Sequence, residues 1–120
     1  MSDGQEQPEV LSLVTTLPSQ ADAQRLAQAL LSRRLAACVQ VEPGLLSHYR
    51  WEGRECADAE ARVTLKTLPQ CLDALLAFLA EHHPYELPQL LWQRMASTPA
   101  YAAWVRGCVE VPAGEKAPGT

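Results

Sequence analysis

Residues 35–66 read LAACVQVEPGLLSHYRWEGRECADAEARVTLK, and this stretch decides the fold. A small apolar run from Ala36 to Val41 stops at Glu42-Pro43-Gly44, which is typical of a turn or a β-bulge. From there to Trp51, alternate residues fall on one face, as they do in a strand. Glu52-Gly53 then predicts a hairpin, because glycine tolerates a positive φ. The stretch therefore predicts a long two-stranded ribbon.

The predicted ribbon is longer than the helices that would cover it. The first strand, from Ala36 to Trp51, spans roughly 50 Å at ~3.3 Å per residue, and the return strand runs from Ala57 to Lys66. Helices of about 13 residues cover only ~20 Å at ~1.5 Å per residue. Half of the ribbon is therefore left without cover from its own chain, and we expect other copies of the chain to supply it.

The sequence on either side of the ribbon supplies further strands and helices. Hydrophobic periodicity predicts strands at Glu9–Thr16 and Gln89–Met95. Helix-start signals predict a helix at Gln20–Arg33 with Ser19 as its N-cap, and a second helix that Thr67 caps and Pro84 ends. A third helix is predicted to begin at Pro99.

The order β-α-β-β-α-β predicts an α+β, ferredoxin-like fold with an extended ribbon and a C-terminal helix. Two helices would cover one face of its sheet. We expect the other face to carry Leu46, Tyr49, Trp51 and Trp92, and no element of the chain to cover it.

Composition and charge narrow the class of protein. The 120 residues predict one domain at 9–111, between a flexible N-terminus at 1–8 and a disordered tail at 112–120. A net charge of −4 argues against a nucleic-acid partner. No apolar run is long enough to span a membrane, and the acidic N-terminus lacks a signal-peptide core, so we expect a cytoplasmic protein. Four cysteines without CxxC spacing are expected to be reduced thiols.

Several short motifs together resemble the CutA family, also called the divalent-cation tolerance proteins. The motifs are Leu35-Ala36-Ala37-Cys38-Val39, Tyr49-x-Trp51-x-Gly53, Glu60 with Leu65-Lys66-Thr67, His83-Pro84-Tyr85-Glu86-x-Pro88, and Tyr101-x-x-Trp104. They cover roughly Val10 to Val109 in the order and spacing of that family. The resemblance implies a ferredoxin-like homotrimer close to the PII signalling proteins, an association with copper or another divalent cation, no cofactor requirement for folding, and no proven reaction.

Three side chains are candidate metal ligands: His82, His83 and Cys38. Imidazole suits Cu(II) and Zn(II), but adjacent residues on a helix point about 100° apart and do not chelate as an i, i+4 pair does. In the alternative interpretation His83-Pro84-Tyr85 forms a packed turn and His82 is a solvated helix end. Cys38 is either a thiolate ligand or a core residue. Some bacterial members of the family carry a cysteine at the position of Thr15, beside the two histidines.

Two further groups of residues are candidates for sites between subunits. By the family pattern, Glu60, Lys66 and Tyr85 are expected to line a cleft between subunits, or to form an ion pair there. Four large aromatic side chains are predicted to lie in the trimer interface rather than to stack on a ligand: Tyr49, Trp51, Trp92 and Trp104.

Two functions from different classes therefore stay open. One is a homotrimeric protein that binds divalent metal cations, with copper as the expected metal. The other is a PII-like signalling or scaffold trimer that holds a small molecule or a protein partner in its clefts. We do not expect an enzyme, because no nucleophile or acid–base pair can be argued from the spacing of residues.

Overall fold

The computed structural model of this chain describes residues 7–112, so the predictions for the flexible N-terminus and the tail lie largely outside the described part. The elements are β1 (Glu9–Leu17), α1 (Gln20–Ser32), β2 (Cys38–Trp51), β3 (Arg54–Thr67), α2 (Leu72–His82), β4 (Leu91–Ala96) and α3 (Pro99–Cys108). Four strands form one antiparallel sheet in the order β2-β3-β1-β4. This confirms the predicted α+β class and the βαββαβ order with a C-terminal helix.

Helices α1 and α2 cover one face of the sheet, which we call the helix face. Odd-numbered residues of β1 and β3 point to it, and they pack against the apolar stripes of both helices. Ser19 caps α1 as predicted, because its hydroxyl accepts a hydrogen bond from the Asp22 N–H at 3.1 Å. The main core is built from fully buried aliphatic side chains: Leu13, Leu17, Leu30, Val63, Leu65, Leu75 and Leu79.

The ribbon of β2 and β3 extends well beyond the helices. Both strands have 14 residues, which spans about 46 Å at ~3.3 Å per residue. The 13 residues of α1 span only about 20 Å. The radius of gyration is 16.2 Å, whereas about 14 Å is typical of a compact domain of this length. The predicted overhang is therefore present in the structure.

A bulge and a tight turn shape the ribbon where the sequence predicts them. The pairing register of β2 with β3 shifts between Glu42 and Leu45, and Gly44 there has a φ of 82°. At the tip, Trp51 pairs with Arg54 across a two-residue loop. Glu52 and Gly53 in that loop both have positive φ, as a type I′ hairpin turn requires.

The second face of the sheet, which we call the open face, is only partly covered. Even-numbered residues of β1 and β3 point to it, together with Leu91 and Met95 of β4, which are 61% and 40% exposed. Helix α3 packs on one end of this face, where Val105 contacts a small cluster around Val10. The prediction that no element of the chain covers this face is therefore wrong at that end, because α3 lies across it.

Leu46 and Trp92 lie on the side of the sheet opposite to the one we expected. Leu46 pairs with Ala59, and Trp92 pairs with Leu13, so both point to the helix-face side. They are 63% and 47% exposed, because one lies on the overhanging ribbon and the other on the edge strand, beyond the helices. Exposed apolar surface is thus present on both sides of the sheet.

The second helix begins differently from the prediction. Thr67 is the last residue of β3 and is fully buried, so its side chain caps no helix. A short 3₁₀ turn at Pro69–Cys71 leads into α2 instead, and Cys71 at its N-cap makes no side-chain cap. Tertiary pairing of β3 with β1 extends the strand through the threonine that the local pattern assigned to a cap.

Two features bear on compartment and membrane association. All four cysteines are free thiols. Within residues 7–112, no helix is both long enough and apolar enough to cross a bilayer.

Candidate functional site

A cleft of about 930 Å³ lies between the overhanging ribbon and the loop that follows α2. One wall is the open face of the ribbon, with Ser47, Tyr49 and Trp51 from β2 and Asp58 and Glu60 from β3. The other wall is residues 85–89, and Thr16 and Pro18 close the end nearest the sheet. We call this feature the ribbon cleft. Because i and i+2 residues of a strand share a face, both strands present every second residue to it.

A phenol–carboxylate pair crosses the two strands of the ribbon. The Tyr49 hydroxyl donates a hydrogen bond to the Asp58 carboxylate. This hydrogen bond, followed by partial burial and the negative charge of the carboxylate, raises the pKa of Tyr49 to about 12. Tyr49 therefore stays protonated near neutral pH and remains a donor to Asp58.

A second phenol–carboxylate pair connects the loop to the ribbon. The Tyr85 hydroxyl donates to Oε2 of Glu60 at 2.6 Å, although the two residues are 25 positions apart. Burial raises the pKa of Tyr85, and the hydrogen bond and charge of Glu60 raise it further. The structure thus brings together two of the three residues that we predicted for a cleft. The third, Lys66, lies further along β3 opposite Ser12 and Cys38 and does not line the ribbon cleft.

His83 holds the loop in place. Its ring is buried, and its Nε2 lies 3.0 Å from Oγ1 of Thr15 and 3.1 Å from the carbonyl oxygen of Thr16. Its Nδ1 accepts a hydrogen bond from the backbone N–H of Tyr85 at 3.1 Å. This network assigns the ring proton to Nε2. Burial lowers the pKa of His83, against the opposing effects of the Thr16 carbonyl and the Glu60 charge, and so favours the neutral ring.

His82 has a different environment from its neighbour. It is exposed at the end of α2, and its ring stacks on Phe78 with 4.1 Å between ring centroids. Its Nδ1 donates to the Phe78 carbonyl oxygen at 3.0 Å. Among residues 7–112 no protein partner is found for Nε2, which then carries the lone pair. A histidine ligand is commonly held in this way, with one nitrogen bound to a carbonyl and the other available to a metal.

The three candidate metal ligands do not form one group. Cys38 lies half-buried on the open face opposite Lys66, whereas His82 and His83 follow one another at the end of α2. Within residues 7–112 no cluster of three or more histidine, cysteine, aspartate or glutamate side chains has the arrangement of a metal site. Both nitrogens of His83 are engaged, so metal binding there would break its hydrogen bonds to the strand or to the loop.

Comparison with known proteins identifies the family. The family model described as "CutA1 divalent ion tolerance protein" matches residues 11–108 of this chain. The chain belongs to the CutA1 divalent ion tolerance family. The resemblance that the sequence motifs indicated is thereby confirmed.

Curated relatives and solved structures agree with CutA1 membership. Divalent-cation tolerance protein CutA of Citrobacter koseri is 43% identical over 84 residues, which cover 70% of this chain and 73% of the relative. The structure of CutA from Synechococcus elongatus matches with a TM-score of 0.82 and 37% identity, over 88% of this chain and 95% of that one. The PII-like protein CutA from a Nostoc species, in apo form, matches with a TM-score of 0.79 and 30% identity, over 85% of this chain and 99% of that one.

Within this CutA1 fold, sequence reasoning missed parts of the ribbon cleft. Thr16 carried no signal of its own, because its place at the cleft depends on the pairing of β1 with β3. Asp58 and Glu60 are two residues apart on one strand, and this spacing alone fits solvated carboxylates as well as a site. The four predicted interface aromatics, Tyr49, Trp51, Trp92 and Trp104, are 40% to 49% exposed in the single chain. Their role in a trimer stays a prediction.

Proposed function

We propose that this chain acts as a homotrimer in divalent-cation tolerance, binding Cu(II) or another divalent cation without catalysing a reaction. Membership of the CutA1 family and the names of the curated relatives support the link to divalent cations. The observation that carries the metal-binding part is the imidazole of His82, whose Nδ1 is anchored on the Phe78 carbonyl while Nε2 is left for a ligand. One imidazole binds a metal weakly, so water or other copies of the chain complete its coordination.

Exposed apolar surface supports the homotrimer. Leu91 and Met95 on the open face, Trp92 on β4 and Trp104 on α3 are each at least 40% exposed in the single chain. Burial of such surface stabilises an assembly by about 25 cal/mol per Å². The free thiols of all four cysteines fit a reducing compartment, and the proposal places the protein in the cytoplasm.

Calorimetric titration with Cu(II) and with Zn(II) tests the metal site. We expect His82→Ala to weaken the affinity by about tenfold or more, because the imidazole nitrogen is lost. His48→Ala is the matched control, since His48 is also an exposed histidine and lies on the ribbon. Equal affinity in the wild type and in His82→Ala would mean that His82 does not bind the metal.

A second candidate function is a PII-like trimer that binds a small molecule in its clefts. It is favoured by the ribbon cleft, whose volume is within the range of small-molecule sites. It is also favoured by the similarity to the PII-like CutA of Nostoc. A thermal-shift screen against nucleotides and metabolites tests this candidate, and a complete absence of shifts would argue for a scaffold without a small ligand.

A further inference from the structure

The charged side chains that line the ribbon cleft are almost all acidic. Asp58, Glu60 and Glu86 contribute carboxylates, and within the described residues no lysine or arginine lines the cleft. His48 also belongs to the lining, but it pairs with Ala57, so its side chain points to the opposite side of the ribbon. A concave site whose fixed charges have one sign concentrates ligands of the opposite sign. An anionic ligand would face these carboxylates without a compensating cation.

Each carboxylate on β3 has an oxygen left for a ligand. Tyr49 donates to Oδ2 of Asp58, and Tyr85 donates to Oε2 of Glu60, so each phenol occupies one oxygen of its carboxylate. The second oxygens, Oδ1 and Oε1, make no side-chain hydrogen bond within the described part of the chain. The phenols also hold the carboxylates in fixed positions, which lowers the conformational cost of binding.

The walls of the cleft are aromatic as well as acidic. Trp51 and Tyr49 stand on one ribbon strand at i and i+2, and Tyr85 faces them from the loop. Aromatic faces attract organic cations, and their apolar area also stabilises the methylene groups of a ligand. This lining distinguishes an organic cation from a hydrated metal ion, which gains little from apolar walls.

Thr16 adds a neutral hydrogen-bonding group at the inner end of the cleft. The residue is 9% exposed and lies on the open face, where it lines the cleft. Within residues 7–112 its hydroxyl has no side-chain or backbone partner, since only its carbonyl oxygen is engaged, by His83. A hydroxyl in the wall of a cleft can accept a hydrogen bond from a ligand ammonium group.

We propose that the ribbon cleft binds linear aliphatic diamines or polyamines as cations. Asp58 and Glu60 are two residues apart on one strand face, a spacing of about 6.6 Å, close to that of the ammonium groups in an extended diamine with four methylenes. The two ammonium groups donate to Asp58 and Glu60, and Thr16 accepts from the inner group. The methylenes lie against Tyr49 and Trp51, which assigns these two side chains to the ligand and not to the trimer interface predicted from the sequence. This deepens the second candidate function and rests on the cleft being a binding site.

Calorimetry of the assembled protein with putrescine and spermidine tests the proposal. We expect both amines to bind at low salt and the affinity to fall as salt is added. The double variant Asp58→Asn/Glu60→Gln keeps the shape of both side chains and removes their charges, and we expect its affinity to fall by about tenfold or more. Light scattering of the same samples reports whether the variant keeps the assembly state of the wild type.

Glu55→Gln is the matched control for charge. Glu55 stands on the same strand, pairs with Arg50 on the opposite side of the ribbon, and does not line the cleft. We expect it to bind amines within about twofold of the wild type, since a distant exposed charge is screened. His82→Ala should bind them normally, so failure of the metal site and failure of the cleft are distinguishable.

Butanediol and butylamine are the matched ligand controls. The neutral diol should not bind, and the monoamine should bind more weakly than putrescine, because it reaches only one carboxylate. The proposal is overturned if putrescine and spermidine give no heat and no thermal shift. It is also overturned if Glu55→Gln weakens binding as much as the double variant does, or if the diol binds as well as the diamine.

Discussion

At the scale of single residues, neighbours in sequence have opposite environments. His82 is exposed and presents one nitrogen to solvent, whereas His83 is buried with both nitrogens engaged. From the sequence, both histidines are candidate ligands. The partners of His83 lie 67 and 68 positions away in β1, so no local pattern shows that its ring is already engaged. The residue before Pro84 was expected to leave the helix, and it does, with an extended backbone that turns its ring under the sheet.

The buried ring of His83 predicts a dependence of stability on pH. The unfolded chain takes up a proton near pH 6.5, whereas burial lowers the pKa of His83 in the fold. The unfolded state therefore binds more protons as the pH falls below about 6.5, and the free energy of unfolding should decrease by at most about 1.4 kcal/mol per pH unit. Above about pH 6.5 the contribution of the neutral His83 ring to the free energy of unfolding is fully present.

Urea denaturation of the wild type and of His83→Gln between pH 5 and pH 8, at fixed protein concentration, measures this effect. We expect the variant to be less stable and to lose the part of the slope that His83 contributes. Thr67→Val, which changes no titratable group, should keep the slope of the wild type. An unchanged slope in His83→Gln would contradict the assignment of a neutral buried ring.

A buried hydroxyl at Thr67 predicts a stabilising substitution. Thr67 is fully buried, and within residues 7–112 its Oγ1 has no hydrogen-bond partner. We expect Thr67→Val to raise the free energy of unfolding by about 1 kcal/mol, because valine fills the same space without an unsatisfied hydroxyl. Thr15→Val is the control, since the Thr15 hydroxyl contacts His83 and its loss should destabilise by a similar amount. Thermal unfolding in which Thr67→Val lowers the midpoint would refute the prediction.

At the scale of elements, the sequence predicts the position of a strand or helix correctly wherever the signal is local. Period-two alternation, the N-cap Ser19 and the turn residues placed β1, α1 and the ribbon within a few positions. The predicted bounds are wrong where pairing between strands overrides the local propensity of the residues. β3 begins at Arg54, three residues before the predicted start, because pairing with β2 extends the strand through alanine and acidic residues that rarely favour strands.

The turn at the ribbon tip gives a prediction at this scale. Glu52 has a φ of 51°, which an L-residue adopts at a cost, whereas asparagine tolerates it well. We expect Glu52→Asn to stabilise the fold by about 0.5 kcal/mol, because Asn-Gly is favoured in type I′ turns.

Gly53→Ala is the complementary variant at the tip. A Cβ at Gly53 would meet nothing within 4 Å, so any loss comes from its φ of 79° and not from a clash. We expect a loss of about 1 kcal/mol, measured by chemical denaturation. Equal stability of both variants and the wild type would mean that the tip does not contribute to the stability of the ribbon.

At the scale of the whole molecule, the ribbon cleft joins parts of the chain that are distant in sequence. The Tyr85–Glu60 hydrogen bond could not be predicted from periodicity, and only the family resemblance implied that the two residues are neighbours. The coverage of Val10 by α3 was missed, because nothing local shows on which face a terminal helix packs. The overhang, in contrast, followed from strand and helix lengths alone.

The overhang and the exposed apolar side chains on both sides of the sheet lead to the claim that this chain is stable as an assembly of identical copies. Light scattering on a size-exclusion column, repeated over a wide range of dilution, measures the mass directly. We predict about three times 13.2 kDa at every concentration at which the fold persists. A folded species of 13.2 kDa with ordinary stability would contradict the claim.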